Sequence, residues 1–313
     1  MTTSSPDYPA IPKVSVVCAF YNRPDHIRET VDSLLAQDLD DIEVLIINDG
    51  SPNPRVREIL DSYSDPRLTV IHQENHGFAA TIKKAVQLTK APLIAIMGAG
   101  DTSHPARLRR QMEVMESDPE LSLVGCYYDK HNTVTGERSV VKPTTPKTGD
   151  FVFDGLSHGE LMYRRRDYDE AGGYRTIFYI GQGSDLWMRL LRKRKAHIIP
   201  EVLYTQRLFS DGVSMSAKDR VSRGIIDSVK IENELHFRKT GVDLVNVYGT
   251  AAFVVLAYRP RVLRTIIGRK VALLLAKDKG SAPPIDVGAF SSFMARLIYG
   301  WRKLTGKTSS LTG

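Results

Sequence analysis

The sequence predicts an α/β protein built on a parallel, doubly wound sheet, and three observations carry that expectation. Apolar, β-branched runs alternate with amphipathic helical segments four times in about the first hundred residues. Each run ends in a polar turn: Tyr21-Asn22, Asp49-Gly50-Ser51, His76-Gly77 and Gly98 to Asp101. The last turn follows five apolar residues, Leu93 to Met97, and is a glycine-rich corner closed by one carboxylate. Parallel strands bring their carboxyl ends to one rim, where open α/β sheets bind ligands.

In chain order, Val14 to Phe20 is a strand by its β-branched content. Pro24 or Asp25 starts a helix, and His26 to Gln37 places Ile27, Val31, Leu34 and Leu35 on one face. Ile42 to Asn48 is the second strand, followed by a helix reaching about Tyr63. Leu68 to Gln73 is the third strand, and a helix from about Ala79 to Thr89 leads to the fourth. A further helix starts near Pro105, and Asp101 has either a ligand role or a capping role before it.

The composition fits a globular chain of one large α/β domain, or of one domain plus a helical extension: 313 residues, 42% hydrophobic and 25% charged. No apolar run reaches the roughly 18–20 residues that span a bilayer. Met1 to Pro9 lacks the basic flank and apolar core of a secretory signal. Cys18 and Cys126 lie in strand-like apolar runs and read as buried thiols, which points to a cytoplasmic chain. The net charge of +7 (43 basic against 36 acidic residues) suits an anionic partner: nucleic acid, a membrane surface or a phosphorylated small molecule. The first strand runs into Ala-Phe-Tyr-Asn-Arg, without the glycines of a dinucleotide-binding turn, and no Walker-type loop is present. The chain also lacks a recognisable RNA module with stacking aromatics, so nucleic acid is set aside.

Four segments, Pro12 to Arg23, Ile46 to Ser51, Asn75 to Ala80 and Gly181 to Leu190, resemble successive signatures of the family 2 glycosyltransferases. The resemblance implies a GT-A fold, with a mostly parallel mixed sheet flanked by helices, and transfer of a sugar from a nucleotide sugar with inversion. It implies a domain over 12–215, with a nucleotide half at 12–110 and an acceptor half at 111–215, between a flexible leader at 1–11 and a helical basic extension at 216–313. Carried over by position, Tyr21 lies against the base, usually uracil, Asp49 accepts its imide N–H, and Ala19 brings backbone near the nucleoside. Asn22, Gly77 and Lys83 complete the donor side.

The corner departs from the family pattern. Two acids of the usual Asp-x-Asp-Asp are replaced by Gly98 and Gly100, leaving Asp101. Three readings are open. Asp101 and the diphosphate hold Mg2+ or Mn2+ with fewer ligands. Alternatively, the glycines let backbone approach the diphosphate while Lys83, Arg107 or Arg109 supplies the charge. The third reading is a relative that binds sugar nucleotide without transfer.

On the acceptor side, Leu161 to Arg166 and Glu170 to Arg175 resemble the family's strand and glycine turn. Ser184-Asp185 then opens a helix from Leu186 to Leu191, with Trp187 and Arg189 in the family context. The resemblance makes Asp185 the general base that takes the acceptor's proton, with an N-cap role compatible. His158 is a contact for acceptor or diphosphate, or a structural histidine. Ser210 to Ser216 forms a loop positioned to fold over the donor. Beyond Asp219 the chain reads helical. Arg259, Arg261, Arg264, Arg269 and Lys270 are interleaved with apolar residues, and Phe293, Leu297, Ile298, Trp301 and Leu304 follow at helical spacing beside Arg296, Arg302 and Lys303. Such a tail lies on an anionic membrane surface or packs against the domain or a second subunit. A peripheral enzyme at the cytosolic leaflet would glycosylate a lipid-linked or cell-surface glycan.

Overall fold

A computed structural model of the protein describes residues 11–212 and 217–257. The leader up to residue 10, residues 213–216 of the loop, and the basic tail from Tyr258 lie outside the described residues, so the membrane expectation falls there. The chain divides into two compact units, Met1–Ser216 and Ala217–Gly313.

In the first unit, β1 (Val14–Phe20), β2 (Ile42–Asp49), β3 (Leu68–Gln73) and β4 (Leu93–Met97) lie in the order β3-β2-β1-β4, all parallel. A single 3-10 turn at Pro24–His26 leads into α1 (Ile27–Leu35), and α2 (Pro54–Asp61) and α3 (Phe78–Leu88) make the next crossovers. Residues of β1 alternate between two packed faces. Val14, Val16, Cys18 and Phe20 meet Ile27, Val31 and Leu34 of α1 with Val56 and Leu60 of α2. Val17 and Ala19 meet Ile82, Ala85 and Val86 of α3. The period-2 pattern therefore buries both faces, as a sheet sandwiched by helices requires. Each fully buried aliphatic side chain there contributes about 1.5–3 kcal/mol. Both cysteines are buried free thiols.

Past β4 the expected mixed sheet continues through β5 (Thr102–Ser103), α4 (Arg107–Ser117), β6 (Leu121–Asn132), β7 (Arg138–Val141), β8 (Met162–Arg164), α5 (Arg165–Glu170), α6 (Gln182–Leu190) and β9 (Lys195–Leu208). Parallel pairing is concentrated in the first four strands. β8 is antiparallel to β4 and β6, β7 is antiparallel to β6, and β6 runs parallel to β9. β5 starts five residues after β4 ends, yet pairs with β9 beyond β8 and β6, so the sheet curls back at the glycine corner. That curl seats Tyr204 and Arg207 of β9 on the corner.

The second unit contains α7 (Ala217–Thr240), α8 (Leu244–Tyr248) and α9 (Thr250–Ala257). Asn233 of α7 donates to Asp243, and its carbonyl oxygen accepts the Val245 backbone N–H, tying α7 to the start of α8. No helix among the described residues is long and apolar enough to cross a membrane.

Candidate functional site

The register brings the first four strand ends to one rim. Phe20 pairs with Asn48, Asn48 with His72, and Cys18 with Met97, so Tyr21, Asp49, Gln73 and Gly98 leave the strands as neighbours. Tyr21 is 48% exposed although it directly follows a fully buried strand. Asn22 is the one non-glycine at positive φ (49°) among the described residues, and its N–H donates to Ser51 Oγ at 2.9 Å. Asparagine tolerates this left-handed geometry better than most side chains. Ala19 is buried in β1. Lys83 is half-buried on α3.

Asp49 is buried in a cradle of neutral donors. Its Oδ1 accepts from His76 N (2.9 Å) and Gln73 Nε2 (2.8 Å), and Oδ2 accepts from Gly77 N (2.9 Å). Burial pushes its carboxyl up, but the hydrogen bonds from His76, Gln73, Thr81 and Gly77 outweigh it and hold it below the ordinary range. Gly77 stands at φ 82° at the N-terminus of α3, where a side chain would strain the loop that caps Asp49.

The corner presents a different carboxylate. Asp101 Oδ2 accepts from Tyr204 Oη at 2.5 Å, and Oδ1 accepts from Arg207 N at 2.7 Å. Tyr204 Oη also accepts the Gly98 N–H, and Thr30 of α1 donates to the Asp101 carbonyl. Burial pushes the Asp101 carboxyl up to about 6, against the pull of those donors. A Cβ at Gly98 would fall 2.1 Å from Asp101 Oδ2, so the carboxylate occupies the space of a residue 98 side chain. A Cβ at Gly100 would meet the Phe209 ring at 2.7 Å. Hard cations need several oxygen ligands. Here one carboxylate is turned inward with each oxygen holding a donor, its neighbours carry no side chain, and a phenyl ring fills the space beside Gly100. Among the described residues no group of three or more His, Cys, Asp or Glu side chains converges to hold a metal. The donor set at the corner, one inward-turned carboxylate, does not fit a divalent cation.

The arginines expected to replace the metal are also placed elsewhere. Arg107 is fully buried; its guanidinium donates to Gly159 O (2.7 Å) and Ile96 O (3.3 Å) and lies 5.1 Å from the Tyr204 ring. It braces the back of the corner. Arg109 pairs on the surface with Asp38 and Glu113. The cations at the front are Arg23 and Arg207, which the sequence reading did not single out. Arg207 donates to Gly100 O at 2.8 Å and pairs with Glu29. The Arg23 guanidinium sits 4.2 Å over the Phe209 ring and pairs with Asp211 at 2.8 Å. Phe209 also packs on His26, with ring centroids 4.9 Å apart.

On the acceptor side the helix begins earlier than expected. Gly181, at φ 70°, precedes Gln182–Leu190, so Asp185 lies a turn inside α6 and caps nothing. Its carboxylate is 1% exposed and clamped by Arg175, with Nε to Oδ2 at 2.9 Å and a second contact to Oδ1, and by Arg189 Nη2 at 2.7 Å. Burial works to raise the Asp185 carboxyl, and the Arg189 and Arg175 charges overcome it and hold the group below the usual range. Asp185, Arg175 and Arg189 thus form a buried ion triad, in which the two guanidinium groups weaken the carboxylate as a base. The Asp185–Arg189 spacing of four residues is the sequence signal that points to this pairing.

Two other acceptor-side residues make hydrogen bonds within the fold. Trp187 is 5% exposed and donates its indole N–H to Tyr163 Oη at 3.0 Å. Ser184 Oγ donates to Gly181 O within the first turn of α6. His158 is half-buried, packs edge-on against Phe78 at the start of α3, and shares a 2.7 Å hydrogen bond with Tyr174 Oη. Burial pushes its imidazole down to about 4, so it is neutral at pH 7. A Cβ at Gly183 would meet its Cδ2 at 2.9 Å, so the glycine admits the ring against α6. Nearby in sequence, Glu160 is fully buried; Oε1 accepts from Ser157 N, and Oε2 has no partner. Burial pushes this carboxyl up to about 8.

Comparison with known proteins places this geometry. The chain is 35% identical over 135 residues to the uncharacterized glycosyltransferase EpsJ of Bacillus subtilis, covering 42% of this chain. It spans 38% and 35% of the lengths of the first two curated relatives it matches. S. aureus TarS in complex with UDP shares its fold at a TM-score of 0.57 and 14% identity, over 81% of this chain and 86% of that one. So does the mannosyltransferase PcManGT from Pyrobaculum calidifontis in complex with GDP-Man and Mn2+, at a TM-score of 0.52 and 18% identity, over 98% and 91% of the two chains. The family model for glycosyl transferase family 2 matches residues 15–173, just over half of the sequence and the whole parallel half of the sheet with its rim. The fold is GT-A, and the chain belongs to glycosyl transferase family 2.

Proposed function

We propose that the chain binds a nucleotide sugar, a UDP-sugar, at the rim of β1 to β4 and transfers the sugar with inversion to a hydroxyl of a lipid-linked or cell-surface glycan. The observation that carries the reading is Asp49 beside Tyr21. The carboxylate is kept ionised by neutral donors and so retains its charge for a base N–H, while an exposed aromatic face stands at the neighbouring strand end. In the transfer, the acceptor oxygen bonds to the anomeric carbon as the bond from that carbon to the diphosphate oxygen breaks, and the hydroxyl proton leaves to solvent or a base. His158, neutral at pH 7, stands between the starts of α3 and α6, where it can position a hydroxyl. The solved relatives with UDP and with GDP-Man support a nucleotide-sugar donor for this fold. The net charge of +7 supports an anionic, lipid-linked acceptor.

Titration calorimetry with UDP tests the donor site. Wild-type chain binds UDP, and Asp49→Ala and Tyr21→Ala weaken it. Equal affinity in all three proteins overturns the placement. A second reading, binding without transfer, is favoured by the neutralised Asp185. Release of UDP from UDP-sugars in the presence of glycan acceptors separates the two: turnover supports transfer, and tight binding without release supports the second.

A further inference from the structure

We propose that Arg23 and Arg207 form a diphosphate-binding pair that replaces the divalent cation at the glycine corner. The inference rests on the nucleotide-sugar reading and concerns how the same site meets the charge of its ligand.

The corner has been rebuilt on three sides, and each change removes a cation ligand or adds a positive group. Asp101 is turned inward onto Tyr204 and the Arg207 backbone. Phe209 occupies the space beside Gly100 that a side chain there would enter. Arg207 reaches the corner from the end of β9 and is hydrogen-bonded to Gly100 O, and Arg23 reaches it from the end of β1, with its Cδ 3.7 Å from the Gly100 Cβ position. Phe209 orients the Arg23 guanidinium by lying face-on beneath it. His26 packs on the same ring, and its Nδ1 has no hydrogen-bond partner.

The two arginines are also placed so that they can change partner. Arg23 and Arg207 are mostly covered, with side chains 18% and 14% exposed, while the carboxylates they hold, Asp211 and Glu29, are 63% and 56% exposed. Exposed ion pairs of this kind hold little free energy. Guanidinium groups bind phosphate oxygens in a fork geometry that an ammonium lacks. A diphosphate that reaches Arg23 and Arg207 therefore exchanges two surface carboxylates for its own oxygens. Asp101, engaged by Tyr204 and by the Arg207 backbone, maintains the position of β9 and hence of Arg207.

The test is calorimetry on the full chain with UDP, GDP, uridine and guanosine, each in excess chelator and in Mn2+. The expected result is a nucleoside diphosphate affinity that is the same within twofold in both buffers. Arg23→Gln and Arg207→Gln each weaken that diphosphate about tenfold, the loss of one charge-assisted contact, and leave the matching nucleoside unchanged. Arg23→Lys and Arg207→Lys recover part of the loss, and thermal melts confirm that the variants fold. Binding that appears only with Mn2+ overturns the proposal and leaves the nucleotide reading standing. Equal weakening of nucleoside and diphosphate assigns the arginines to the scaffold and also overturns it. Absence of binding by all four probes overturns the nucleotide reading, and the proposal with it.

Discussion

Asp49 on the rim and Asp185 in α6 are both buried, both ionised and both held below the ordinary carboxylate range, yet opposite means achieve this. Asp49 is held by neutral N–H donors, so its charge is solvated by the fold but not cancelled. Asp185 is held by two guanidinium groups, so the cluster has already exchanged its negative charge for internal contacts. Asp101 departs from both cases: its donors are neutral but too few to offset burial, and its carboxyl is pushed up to about 6. The donors that reach a carboxylate decide its chemistry, and a sequence motif names only the acid.

The sharpest way to break this comparison is Asp185→Asn. Removing one member of a buried ion cluster leaves the others unpaired, and the expected loss is about 3–5 kcal/mol of folding stability. Urea unfolding measures it; full stability with abolished turnover would return Asp185 to a catalytic role. Asp49→Asn comes next, because one amide group then meets N–H donors with an N–H of its own. The expected cost is about 1–3 kcal/mol, with a parallel loss of UDP affinity in calorimetry. If stability falls while UDP affinity holds, Asp49 belongs to the scaffold alone.

Tyr21→Ala isolates the ligand side of the comparison. The ring is exposed, so stability is expected to change by no more than about 0.5 kcal/mol, while base stacking worth about 1–3 kcal/mol is lost. Calorimetry and a melt on one protein sample separate the two numbers.

At low pH the smallest change is expected from Glu160→Gln, which replaces a protonated carboxyl by a neutral amide and tests burial without a compensating cation. The Glu160 carboxyl rises from 4.5 to about 8 in the folded chain, which therefore keeps a proton that the unfolded chain releases. Its contribution is complete below pH 4.5 and is lost as pH rises through about 8. Relative to Glu160→Gln, the wild type is expected to lose stability steadily across that window and then run parallel above it. Parallel curves throughout would show that Glu160 ionises freely.

The first four strands were legible because nothing distant competes with their local signal. Val14–Phe20, Leu68–Gln73 and Leu93–Met97 match the expected bounds, and the polar turns after them form the rim. β5 was not legible: two residues carry no period, and only pairing with β9 makes them a strand. The occupants of the corner were hidden for a related reason. Tyr204 and Arg207 lie more than a hundred positions from Asp101 and arrive only because the sheet curls. The partners of Asp185 were not legible, because an acid near a helix start fits a cap, a base and an ion pair equally well. Arg175, ten residues upstream, supplies an ion pair that local pattern does not announce.

The glycine corner also bears on how the chain can change over generations. An aspartate restored at position 98 would collide with the Asp101 carboxylate, and the Tyr204 hydroxyl stands 3.1 Å from the same Cβ position. One restored at position 100 would take a left-handed φ of 94° and run into Phe209. An acid at position 98 thus requires the Asp101 carboxylate to move, and one at position 100 requires the Phe209 ring to move, because positions 98, 100, 101, 204 and 209 fit one another.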